Sequence, residues 1–153
     1  MLRRLAQQAE GELRESAELP PAPLRCEGTR EERALLGAMV DRVMKSPAWT
    51  EELPAEVEYR VSRRMTRSLG TFTVRHGRSR VSLSARILRP GLEDIAWETV
   101  KHEMAHVADR ATRADGRSDH GPSWRRWAER LGAQPRRSCS REESHRIVGR
   151  RDR

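Results

Sequence analysis

At 153 residues the chain is long enough for one domain that buries a core without disulfide staples, and too short for two such domains with tails. Its 31 Lys and Arg against 23 Asp and Glu give a net charge of +8, and 35% hydrophobic with 35% charged residues departs from the roughly 45–50% and 25% of ordinary domains. Part of the chain is therefore expected to be solvated, and its surface is expected to attract polyanions, of which nucleic acid is the commonest.

Two isolated cysteines, Cys26 and Cys139, belong to no C-x-x-C pair, which argues against a disulfide framework and favours reduced thiols in a cytoplasmic protein. No run of 18 apolar residues occurs and polar residues interrupt the start of the chain, so neither a membrane span nor an export signal is expected.

Residues 1–29 read as an extension. Leu2, Leu5 and Leu13 sit in a charged stretch weakened as a helix by Gly11, and Pro20, Pro21 and Pro23 make a semi-rigid linker. Thr29 is placed to cap a helix whose first turn carries Glu31 and Glu32. Leu35, Leu36, Met39, Val40, Val43 and Met44 follow at helical spacing until Pro47 ends the pattern, which reads as a core helix.

After Pro54 the period changes to two. Val57, Tyr59 and Val61 alternate with polar residues, followed by Thr71–Val74, a turn at His76-Gly77-Arg78, and Val81–Ser84. Three short antiparallel strands are expected, with His76 exposed at a turn.

Pro90-Gly91 precedes a stretch from Leu92 to Arg113 that holds neither Gly nor Pro. Glu93 and Asp94 open it, either as a cap at Asp94 or as first-turn acids. Within it His102-Glu103-Met104-Ala105-His106 has the H-E-x-x-H pattern of zinc metalloproteases. Histidines four apart project one turn apart on one helix face, near enough to grip one ion, and Glu103 stands beside that ion without occupying a coordination position.

A catalytic zinc site ordinarily has three protein ligands and one open position. His120, just ahead of a helix started by Pro122 and anchored by Trp124, Trp127 and Leu131, is the favoured third ligand; Asp109, Asp115 and Asp119 are the alternatives. Asp119 is also a candidate to orient a ligating imidazole.

Taken together, Met65 through Gly70, the strand Ser82-Leu83-Ser84, His102 to His106 and His120-Gly121-Pro122-Ser123-Trp124 resemble the SprT-like metalloproteases, relatives of the Spartan protease domain. The resemblance covers roughly residues 30–134. It implies an α+β, zincin-like core in which a small sheet packs with helices, one catalytic zinc, and cleavage of proteins crosslinked to DNA or tightly bound on it.

The chain departs from many relatives in lacking paired cysteines after the domain. Residues 135–153 read instead as a basic tail with little to bury, in which Arg136, Arg137, Arg141, Arg150 and Arg151 are candidates for phosphate contact without base readout.

The expected enzyme is a monomeric metalloendopeptidase with zinc held by His102, His106 and His120 and with Glu103 as its acid–base group. Two rivals differ in class. In one, a DNA-binding protein has a structural zinc completed by Cys139 or His145; in the other, a protease of free proteins carries an incidental basic surface.

Overall fold

The computed structural model describes residues 27–113, 120–136 and 140–148. Helix α1 spans Arg30–Met44, and strands β1, β2 and β3 span Glu58–Ser62, Gly70–Arg75 and Arg78–Ser84. A 3-10 turn at Ala85–Ile87 leads to helix α2, Glu93–Thr112; α3 is Pro122–Arg130 and α4 is Arg141–Val148. The fold is α+β. Among the described residues no helix is long and apolar enough to cross a membrane.

The sequence signals for α1 hold. Thr29 accepts from the Glu32 amide at 3.1 Å and Glu32 accepts from the Thr29 amide at 2.9 Å, so two N–H groups left over at the helix start are satisfied reciprocally. Leu36, Val40 and Val43 form its buried face.

The sheet corrects the expectation of three antiparallel strands. Its order is β1-β3-β2, with β2 antiparallel to β3 but β1 parallel to β3, in the register Glu58↔Arg80 to Ser62↔Ser84. Alternation reveals that a segment is a strand and which face is wet; it carries no information about the neighbour's direction. Burial makes the choice here. Val81 and Leu83 are fully buried, so β3 takes the centre, where both edges are paired, and the more exposed β2 is left at one edge.

The hairpin joining β2 to β3 turns at His76 (φ 51) and Gly77 (φ 73). Positive φ at both positions suits the primed turns whose twist matches that of the strands. His76 is exposed there, as expected.

Helix α2 has apolar neighbours on two sides. Ile95, Val100, Met104 and Val107 join the main core with α1 and the sheet, while Ala105 and Ala108 lie in a second cluster with Trp124, Trp127 and Ala128. Small side chains let α3 approach closely. At its N-terminus α2 has no side-chain cap; Glu93 and Asp94 are first-turn acids, the second of the two possibilities.

The tail expectation needs correction between residues 141 and 148. This segment is helix α4, and its Ile147 is buried in the main core. Arg146 pairs with Asp94 at 2.7 Å and donates to the Gly91 carbonyl, tying α4 to the start of α2. A readable signal was present: Ser140 and Glu143 form a reciprocal cap, Ser140 Oγ accepting from the Glu143 amide and Glu143 accepting from the Ser140 amide. Arginine density obscured one apolar anchor.

Replacing Ile147 with Ala is expected to lower unfolding free energy by about 2 kcal/mol or more. The neighbouring Val148→Ala, at a position 53% exposed, is expected to change it by less than about 0.5 kcal/mol. Urea denaturation of the two variants checks the docking of α4, which equal effects would contradict.

Candidate metal centre

His102 and His106 occupy successive turns of α2, and His120 stands two residues before the first residue of α3. Their ligand atoms lie within 4.8 Å of one another. His102 Nε2 and His120 Nε2 are 3.2 Å apart, against roughly 3.3–3.4 Å for two imidazoles on one tetrahedral ion. The spacing and the all-imidazole donor set fit a divalent metal, with no fourth His, Cys, Asp or Glu in the group among the described residues.

Trp124 fixes this arrangement. It is 1% exposed, and its ring lies 4.7, 5.3 and 4.8 Å from the rings of His102, His106 and His120. Its indole N–H donates to the His102 carbonyl at 3.4 Å. From the edge strand, Phe72 lies nearly parallel to His106 at 6.1 Å. Three elements thus converge on the group, and aromatic packing limits the rotation of each imidazole.

The cluster opens into a cleft of about 470 Å³. Gly70, Thr71 and Phe72 of β2 form one wall, and Gln134, Arg136 and Glu143 contribute to another. Glu103 lines it beside the histidines and is 5% exposed. Among the described residues no protein group hydrogen-bonds its carboxylate, which leaves it open to a ligand in the cleft.

Sequence reasoning missed Glu98 and Lys101. Lys101 is buried, with its ammonium 2.7 Å from Glu98 and 2.8 Å from the Gly132 carbonyl; Glu98 in turn accepts from the Gln134 amide at 3.1 Å. Together they fasten the segment after α3 alongside α2. The Glu98/Lys101 spacing is an ordinary i,i+3 pair, so nothing local distinguishes it from a solvated helix pair.

Other sequence candidates fall elsewhere. Asp109 is buried against Arg113 and is outside the ligand group. His145 is exposed on α4, also outside the group. Arg136 pairs with Glu143 at 2.6 Å on the cleft wall, and Arg141 is exposed. Asp115, Asp119, Arg137, Cys139, Arg150 and Arg151 lie outside the described residues.

A family model for the SprT-like family matches residues 38–145, more than two thirds of the chain. The chain belongs to the SprT-like family. That family is associated with protease activity, and the match runs through the three-histidine group and into α4. No curated protein and no solved structure matches the SprT-like chain.

Burial governs protonation at the site. It lowers His102 to about 4, with the nearby His120 adding to the effect and Glu98 opposing it, and lowers His106 to about 3, helped by His102, His120 and Arg113. Neutral imidazoles are ready for a metal at physiological pH. Burial also raises Glu103 to about 8, a value that a bound cation nearby would bring down.

These shifts have opposite consequences in the metal-free protein. The unfolded histidines take up protons below about 6.5 while the folded ones do not until lower pH, so acidification through that window favours unfolding. Glu103 holds its proton to about 8 when folded but loses it near 4.3 when unfolded, so rising pH between those values favours unfolding. In metal-free protein the melting temperature of Glu103→Gln relative to wild type is therefore expected to increase steadily from about pH 5 to about pH 8. A difference that stays flat across calorimetric scans in that range would contradict the buried, protonated carboxyl.

Proposed function

We propose that this SprT-like chain is a zinc endopeptidase that acts on proteins crosslinked to DNA or tightly bound on it. The observation that carries the protease reading is a buried carboxylate, Glu103, in the same cleft as three convergent imidazoles. Zinc held by His102, His106 and His120 would supply Lewis acidity toward a peptide carbonyl and toward water.

The chain's own groups account for the remaining work. Glu103 takes a proton from the water that attacks the carbonyl carbon, and delivers it to the amine as the C–N bond breaks. Trp124 and Phe72 hold the imidazoles in place for the ion.

An extended polypeptide suits the cleft. Strand β2 pairs with β3 on one side and, among the described residues, has no strand on its other side, while Gly70–Phe72 line the cleft. Unpaired backbone groups along a strand edge can hydrogen-bond an incoming chain irrespective of its sequence, which favours a protein substrate selected by location rather than by a side-chain code. DNA is the proposed locating partner, supported by the net charge of +8 and by the exposed Arg125, Arg126 and Arg130 of α3, the helix that begins beside His120.

Glu103→Gln is expected to keep zinc at wild-type stoichiometry while losing at least about a hundredfold in turnover, and His120→Ala to lose the metal. Elemental analysis and a cleavage assay on a DNA-bound protein separate these effects; a Glu103→Gln enzyme as fast as wild type would sink the assignment. Adding DNA is expected to accelerate cleavage, and raising salt from about 50 to 200 mM to suppress that gain steeply. Equal rates with and without DNA would indicate a protease of free proteins.

A further inference from the structure

Gly70 opens β2 where the strand meets the cleft, and it is not among the glycines with positive φ. Its backbone conformation therefore does not require glycine, and glycine weakens a strand. The space around it supplies the reason. A methyl group placed on Gly70 would stand 2.8 Å from Thr99 Cγ2, 3.1 Å from Glu103 Cγ and 3.3 Å from Glu103 Oε1.

Neither side of that contact yields easily. Gly70 pairs with the fully buried Leu83, and the adjoining Leu69 carbonyl accepts from the Ser84 amide at 2.8 Å, which pins this end of β2. Thr99 is held through its hydroxyl, which donates to the Ile95 carbonyl at 2.8 Å. Helix α2 itself cannot retreat, because Val100 and Met104 are fully buried in the main core. Thr99 and Glu103 are one turn apart, so the glycine faces the helix strip from which the Glu103 side chain rises.

We infer that Gly70 is a positioning residue: its bare Cα lets the edge strand lie against α2 and holds the Glu103 side chain in the conformation that delivers its carboxylate beside the three histidines. The kinetic half of this inference rests on the endopeptidase reading, whereas the placement of Glu103 does not. A side chain at residue 70 acts on the acid–base group while leaving all three imidazoles in place. The strand edge then has two roles, docking a polypeptide and aligning the carboxylate that acts on it.

The test compares zinc-loaded wild type, Gly70→Ala, Thr99→Ser and the double variant by elemental analysis, peptide cleavage and crystal structures. Gly70→Ala is expected to retain zinc, to keep KM within about twofold, and to lose about tenfold to a hundredfold in kcat, as a displacement of about 1 Å at a reacting group does. Its crystal structure is expected to show the Glu103 carboxylate displaced from its wild-type position.

Thr99→Ser removes the methyl of the tightest contact, so the double variant relieves packing strain and provides a folded protein if Gly70→Ala alone does not fold. Relative to Thr99→Ser, the double variant is still expected to be low in kcat. Recovery of kcat to the Thr99→Ser level, or Glu103 superposing on its wild-type position in the variant crystals, overturns the inference. Should wild type and Glu103→Gln cleave alike, the endopeptidase reading fails, and the position of Glu103 in the crystals decides the placement alone.

Discussion

The structure depends on one helix having to satisfy neighbours on several sides. Within Glu93–Thr112, large residues at Ile95, Val100, Met104 and Val107 must face the main core, and Ala105 and Ala108 must stay small for Trp124 and Trp127 to pack. Only a narrow strip of the surface remains, and it carries His102, Glu103 and His106. Burial of the two apolar sides fixes the rotation of the helix, and that rotation aims the strip into the cleft.

That same packing brings the groups of the site together. The third imidazole reaches the other two because Trp124, buried on α3, contacts all three rings. Strand β2 is brought against the helix by its pairing with β3 and the absence of a side chain at Gly70. Burial also sets the chemistry, since the desolvation that keeps His102 and His106 neutral raises Glu103. One environment prepares the ligands for a cation and leaves the carboxyl responsive to its arrival.

The far wall of the cleft is built by polar links rather than by apolar burial. Lys101 and Glu98 hold the chain at Gly132 and Gln134, and Glu143 holds Arg136 while capping α4. These are partly buried charge pairs, whose loss leaves a partner without compensation. Arg136 and Glu143 thus line the cleft from a stretch that composition alone marked as a solvated tail.

Residue pattern determined much of this protein. The capped helix at Thr29, the turn at His76-Gly77, and the grouping of His102, His106 and His120 as residues able to hold a metal ion follow from spacing and from the local chemistry of helix starts and turns. These features depend on residues near one another in the chain or on ligand types with few other uses. Tertiary structure decided the rest: the parallel pairing of β1 with β3, the docking of α4 through Ile147, the Lys101 link to Gly132, and the contact that makes Gly70 a glycine. Each joins segments far apart in sequence, and periodicity reports only which face of a segment is buried, not what lies against it.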